Sequence, residues 1–159
     1  MGHRLGRQHH LHRLTEDQRM TGIEGQDLLP RPRISPDNAP FWEGCREGRL
    51  MLPTCTGCGR AHLPPGPVCP FCLSSALDWR EAKGTGTIST WTVVHKVWFP
   101  IFADRVPYNV IQVQLDEGPR LTARLVESDA PPKVGQRVSV LFEQLDAELA
   151  MPAFRPLAG

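Results

Sequence analysis

The stretch CTGCGRAHLPPGPVCPFC, residues 55–72, opens and closes on a Cys-x-x-Cys pair, with ten residues between Cys58 and Cys69. Two such pairs in one short segment are how a closed four-thiolate metal site is written into sequence. Each pair sets two sulfurs on one tight turn, and a hairpin between the pairs is expected to bring the turns face to face as a tetrahedron. Gly59, directly after Cys58, suits such a turn: it takes positive φ without a Cβ clash and lets backbone N–H groups point back at the thiolates. The second turn sets φ with Pro70 and carries Leu73 where another glycine is expected. Two disulfides, four unconnected thiols and an iron site are the competing readings. The paired spacing favours Zn2+ held by Cys55, Cys58, Cys69 and Cys72. Four thiolates saturate zinc and leave no open position on which to activate water, so the metal reads as structural.

Around this module, 159 residues support one domain with a real core plus a small appendage. No run approaches the roughly 18 apolar residues of a membrane span. The N-terminus also lacks the apolar segment of a signal peptide, so a cytoplasmic location without membrane contact is expected. There the paired thiols stay reduced and available for metal. The fifth cysteine, Cys45, has no partner base nearby and reads as a small buried apolar residue. Net charge is +1, but residues 77–159 hold nine Lys or Arg against ten Asp or Glu, a balance of −1. A nucleic-acid binder would concentrate positive charge on that part of the chain.

Residues 1–34 read as a disordered or extended arm with no sustained periodicity. His9, His10 and His12 lie in it as a solvated tail, and Met20 is a second candidate start. Residues 35–50 contain a short helix, with Asn38 as N-cap, Pro40 in the first turn and Gly48 as terminator. Phe41, Trp42 and Cys45 form its apolar side, and Trp42 is the expected anchor of the metal module. The zinc ribbon takes residues 51–76.

From residue 77 to 159 the period is two. Ser89, Trp91, Val93, His95 and Val97 share one strand face, while Ile111, Val113 and Leu115 form the apolar face of the next strand. Leu121, Ala123 and Leu125 follow a hairpin at Asp116-Glu117-Gly118. Val138, Val140 and Phe142 mark a later strand, and residues 150–155 close the sheet. With the run Leu77–Ala82 counted among them, these make five or six antiparallel strands without an intervening helix, which points to a closed or nearly closed barrel of the OB type. The loop Val97-Trp98-Phe99-Pro100-Ile101-Phe102 breaks the pattern, being apolar where a turn should be polar. It reads either as a lid or as a surface for another molecule. Enrichment of Trp and Phe at interface cores favours contact through Trp98, Phe99, Ile101 and Phe102.

No Walker loop, dinucleotide fingerprint, nucleophile elbow or His-Glu-x-x-His helix occurs in the chain. Gly84-Thr85-Gly86 reads as a turn or bulge. His62 is a candidate to shield the zinc knuckle or simply to pack, and His95 lacks the orienting carboxylate a general base needs.

These pieces together resemble a known family. Pro40-Phe41-Trp42-Glu43, Gly48-Arg49-Leu50, the two cysteine pairs, His62-Leu63-Pro64-Pro65, Gly84-Thr85-Gly86 and Thr90-Trp91-Thr92-Val93-Val94-His95 are similar to the domain-of-unknown-function family numbered thirty-five, over residues 39–156. The resemblance implies a mainly β protein: an N-terminal helical arm, a rubredoxin-like zinc ribbon, then a five- to six-stranded antiparallel OB-fold barrel. It also implies a noncatalytic accessory subunit that stabilises a thiolase-like acyl-CoA enzyme, such as a thiolase, a lipid-transfer-type thiolase or a steroid side-chain aldolase. The pair would form a hetero-oligomer, with acyl-CoA at a shared site. The alternatives are an OB-fold binder of single-stranded nucleic acid and an independent acyl-CoA-binding module. The four cysteines match the family's zinc positions.

Overall fold

The computed structural model describes residues 31–157. The expectations for His9, His10, His12, Met20 and most of the arm fall outside them. Residues 32–96 and 106–157 belong to one compact unit; Val97–Arg105 belongs to a second and is described by itself.

Helix α1, Ala39–Arg46, starts where the sequence places it, with Asn38 as N-cap and proline in the first turn. The Asn38 side chain does not cap the helix. Its Oδ1 accepts the Ser35 N–H at 2.8 Å and its Nδ2 donates to the Arg33 carbonyl at 3.1 Å, tying down the chain that enters the helix. At the other end Gly48 has φ +75°, its N–H bonds the Cys45 carbonyl, and Arg49 N–H bonds the Gly44 carbonyl. This paired closure satisfies the last carbonyls and stops the helix. Phe41, Gly44 and Cys45 are buried, and Trp42 stands edge-on to Phe41 at 4.9 Å between centroids. Gly44 is required by space, since a Cβ there would meet the Met51 side chain at 2.5 Å and the Arg49 carbonyl at 2.8 Å.

Strands β1, Met51–Cys55, and β2, Leu77–Glu81, form a two-stranded antiparallel sheet in the register Met51↔Glu81 to Cys55↔Leu77. The run from Leu77, counted above among the barrel strands, thus pairs within the ribbon. A period-two segment of five residues carries no label for its partner, and β1 satisfies its backbone groups.

The barrel sheet has the order β5-β4-β3-β6-β7, all antiparallel, from β3, Thr85–Val94; β4, Tyr108–Leu115; β5, Arg120–Ala123; β6, Arg137–Gln144; and β7, Ala150–Pro156. Its outer edges meet where Leu125 bridges Phe154, with Phe154 N–H bonded to the Arg124 carbonyl and Val126 N–H to the Phe154 carbonyl. The five-stranded sheet curls into a half-barrel, in keeping with the closed or nearly closed OB-type barrel expected from the pattern. Ile88, Ile111, Val113, Leu115, Leu125, Val138 and Phe154 fill it, in one core continuous with Phe41, Cys45, Leu50 and Leu52. Helix α1 packs against β1, β6 and β7 and so joins ribbon and barrel. The hairpin at Asp116-Glu117-Gly118 connects β4 to β5, with Gly118 at φ +111°.

The strand face drawn through Ser89, Trp91, Val93, His95 and Val97 is corrected. A register shift between Ile88 and Thr90 interrupts β3, which ends at Val94. Before the shift Gly86 and Ile88 point into the core; after it Trp91 and Val93 are exposed. A bulge changes which alternate residues face inward, and a pure alternation rule cannot see it. Gly86 is no turn residue either: a Cβ there would lie 2.5 Å from the Gln114 carbonyl oxygen of β4. His95 lies just beyond β3 and is exposed.

Candidate metal centre

The metal site grows from two matching turns. In the first, Gly59 N–H bonds the Cys55 carbonyl at 2.8 Å and Cys55 N–H bonds the Arg60 carbonyl at 2.9 Å. In the second, Leu73 N–H bonds the Cys69 carbonyl and Cys69 N–H bonds the Ser74 carbonyl, each at 2.9 Å. Each turn therefore curls its backbone around the first cysteine of its pair. The expected hairpin between the pairs is not what joins them. The β1–β2 ladder, which lies outside the pairs, delivers Cys55 at the end of one strand and Leu77, five residues after Cys72, at the start of the other. Thr56 N–H and its hydroxyl both bond the Ala76 carbonyl at 3.0 Å, locking the turns together.

The four sulfurs lie within 4.8 Å of one another. Cys55 and Cys72 are 3.5 Å apart at Sγ, and Cys58 and Cys69 are 3.6 Å apart. A disulfide needs about 2.05 Å, and all these cysteines are free. Zinc–sulfur bonds of about 2.3 Å would give a tetrahedron with edges of roughly 3.8 Å, so the donor set fits the ion. Cys55 and Cys69 are buried and Cys58 and Cys72 exposed.

The backbone prepares thiolates. The Cys58 N–H, with that of Gly57, draws the Cys55 thiol down to about 6. Burial opposes ionisation at Cys69, yet the N–H groups of Phe71 and Cys72 bring it below the ordinary thiol value. The Ser74 N–H favours the Cys72 thiolate, but the neighbouring sulfurs, Cys55 foremost, outweigh it and hold that thiol up at about 12. Four close thiolates repel, and a divalent cation is the group that relieves the repulsion.

Cys45 stands apart in the core, 1 % exposed, its thiol pushed up to about 12 by burial. His62 is buried at 4 % exposure, and burial lowers its pKa. Its backbone N–H bonds the Pro53 carbonyl, while neither ring nitrogen has a partner among the described residues. It packs beside the ribbon without a hydrogen bond to a sulfur. In the second unit Phe99 and Phe102 meet edge-on at 6.1 Å and the Arg105 guanidinium lies 5.8 Å from the Phe102 ring. Trp98 is 64 % and Phe99 46 % exposed, whereas Ile101 and Phe102 are half-buried. Among the described residues no helix is long and apolar enough to cross a membrane.

Fold and site together define a class: a four-thiolate ribbon, led by a short helix, on a small antiparallel barrel. Two family models match these parts in order, the ChsH2 rubredoxin-like zinc ribbon domain at residues 42–78 and the ChsH2 C-terminal OB-fold domain at residues 79–143. A DUF35 domain-containing scaffold protein of Methanocaldococcus jannaschii is 31 % identical over 110 residues, covering 65 % of this chain and 75 % of that protein. A Thermomonospora curvata protein described as a probable enoyl-CoA hydratase alpha subunit is 41 % identical over 131 residues, 81 % of this chain. This chain spans 40 % of that relative's length. A solved structure described as an Ltp2-ChsH2(DUF35) aldolase matches with a TM-score of 0.70 and 40 % identity, covering 79 % of this chain and 98 % of that one. The chain belongs to the DUF35 family, and its ribbon is a structural zinc site.

Proposed function

We propose that this chain is a noncatalytic accessory subunit of a thiolase-like acyl-CoA enzyme, acting in the cytoplasm. Cys55, Cys58, Cys69 and Cys72 hold its structural Zn2+, and Trp98, Phe99, Ile101 and Phe102 supply part of the contact with the enzyme subunit. The single observation that carries this reading is the likeness at 40 % identity to nearly the whole DUF35 chain of a structure described as an aldolase of two named components. A second, physical argument agrees. The metal-type cluster among the described residues is built of four thiolates, and such a set leaves zinc no open position for substrate or water. The chemistry then resides in the partner, and this chain stabilises it and completes its acyl-CoA site. The barrel segment's slight acidity argues against the single-strand nucleic-acid reading, because that mode needs a basic groove around its stacking platforms.

Coexpression of the tagged chain with a thiolase-like subunit from the same genome tests the proposal. The expected result is a hetero-oligomer stable to gel filtration, in which the enzyme subunit is more soluble or more active than alone, while the purified chain alone turns over no acyl-CoA. Turnover by the chain alone, or submicromolar binding of single-stranded nucleic acid that survives added salt, would overturn it.

A further inference from the structure

Ribbon and barrel leave an open cleft of about 570 Å3 between the first zinc turn and the β4–β5 hairpin. That size lies within the roughly 300–1,000 Å3 of small-molecule sites. Arg60, His62 and Phe71 line it from the ribbon, Glu117 and Arg120 from the barrel. The polar groups of this cleft share an unusual condition. Among the described residues both ring nitrogens of buried His62 lack a partner, and so does the Oε2 of half-buried Glu117, whose Oε1 accepts the Lys83 N–H at 2.7 Å; these atoms lie just behind the cleft wall. A buried polar atom without a partner is costly, and two such residues line one cavity.

Two arginines of the cleft, like several others of the chain, meet no carboxylate among the described residues. Arg49, Arg80, Arg124, Arg137 and Arg155 each meet a carboxylate. Arg60 instead lies over the Phe71 ring at 4.8 Å, and Arg120 donates from Nε to the Gln114 side-chain oxygen at 3.0 Å. A guanidinium that lies over an aromatic face, with no carboxylate partner among the described residues, has N–H groups to offer a bidentate oxyanion. Glu117 sets the other half of the requirement, because a bare anion gains nothing from a carboxylate wall while a hydrogen-bond donor does. Neutral imidazole offers one donor and one acceptor and accommodates either.

We propose that this cleft is a binding site for a small organic oxyanion, a carboxylate or a phosphate monoester, whose body carries a hydroxyl or amine donor. The oxyanion meets Arg60 and Arg120, the donor meets Glu117, and the apolar part of the ligand lies against Phe71. Every lining residue belongs to this chain, so the isolated chain tests it.

Titration of the zinc-loaded full chain by amide NMR with D-ribose 5-phosphate and with L-malate separates the two oxyanions, with ribose as the uncharged control. The expected result is saturable shifts at residues 59–63 and 117–120 with a dissociation constant of about 1 mM or tighter for one of the two, and none with ribose. Arg60→Gln and Arg120→Gln each weaken binding about tenfold, equivalent to about 1.4 kcal/mol. Glu117→Gln also weakens it, whereas simple charge attraction would make that variant bind more tightly. Thermal melting and the thiolate absorption of the cobalt-substituted protein check that each variant folds. No saturable shift with either probe, tighter binding by Glu117→Gln, or arginine variants that bind as the native chain does would overturn the proposal.

Discussion

Gly59 and Leu73 occupy the same position of the two zinc turns, each directly after the second cysteine of its pair and each in the left-handed region, at φ +74° and +61°. Both donate an N–H to the carbonyl of the first cysteine, so the conformation is imposed by the turn rather than chosen by the residue. For Gly59 it costs nothing sterically. For Leu73, whose side chain is 76 % exposed and gains little by packing, it costs roughly 1–2 kcal/mol.

Leu73→Gly is therefore expected to stabilise the zinc-loaded chain. The relief of strain is partly offset by glycine's extra unfolded-state entropy, about 0.5–1 kcal/mol, which leaves a net gain of up to about 1 kcal/mol. Gly59→Leu makes the reverse change at a position where a Cβ meets no atom within 4 Å, so the same two terms act with opposite sign and the net loss is up to about 1 kcal/mol. Denaturant melts at fixed zinc concentration measure both. Effects of the same sign from the two substitutions would show that the turns are not equivalent.

The cysteines divide into two kinds by their surroundings. Cys58→Ser removes one of four clustered donors, and because a structural site's binding energy is folding energy, zinc stoichiometry should fall and the ribbon should lose its protection from proteolysis. Cys45→Ser leaves the cluster intact and places a hydroxyl in a core position 1 % exposed, at a cost of about 1–3 kcal/mol with zinc still at one per chain. Metal analysis with a melt on each variant distinguishes the two. Retention of full zinc by Cys58→Ser would remove that residue from the ligand set.

Much of this architecture was legible in the chain because its strongest signals are local. The cysteine pairs, the helix from Asn38 to Gly48 and the β4–β5 turn at Gly118 each follow from a few adjacent residues and their backbone demands. What could not be read was pairing. Leu77–Glu81 alternates like a barrel strand, but its partner is β1, some 25 residues earlier by the register Met51↔Glu81 to Cys55↔Leu77. The bulge near Ser89 likewise depends on Gln112 and Val113 across the ladder. The ribbon–barrel cleft left no signal at all, since Arg60, His62, Glu117 and Arg120 come together only through the tertiary fold.

Asp116 sits across β3 and β6 as a clasp. Its carboxylate takes both guanidinium nitrogens of Arg137, at 2.6 and 2.7 Å, and the Thr85 hydroxyl at 2.5 Å. Arg137 first, then Thr85, hold the Asp116 pKa well below the usual carboxylate range. A folded value below the unfolded one, about 3.9, contributes stability above that pH, and the contribution is lost as pH falls through the folded value. The two side chains remain 34 % and 45 % exposed, so the effect is small and weakened by salt. The gap in melting temperature between the native chain and Arg137→Gln should accordingly be full at pH 7, shrink below about pH 4, and narrow at high ionic strength. A gap that ignores both pH and salt would mean that Arg137 acts through packing alone.

The last prediction concerns Val97–Arg105. This unit places Trp98 and Phe99 64 % and 46 % exposed in one short stretch, held by the Phe99–Phe102 edge contact and the 3-10 helix Pro100–Arg105. Aromatic anchors buried at an interface each contribute on the order of 2 kcal/mol or more, so two of them decide whether a complex survives purification. Trp98→Ser with Phe102→Ser is expected to weaken the complex with the thiolase-like subunit at least tenfold, by about 1.4 kcal/mol or more, measured by calorimetry or by retention on gel filtration. Zinc content and the strand signal in circular dichroism should stay as in the native chain, because the ribbon and barrel belong to the other unit. A double variant that binds its partner normally but melts earlier as an isolated chain would assign these rings to this chain's own stability and move the interface elsewhere.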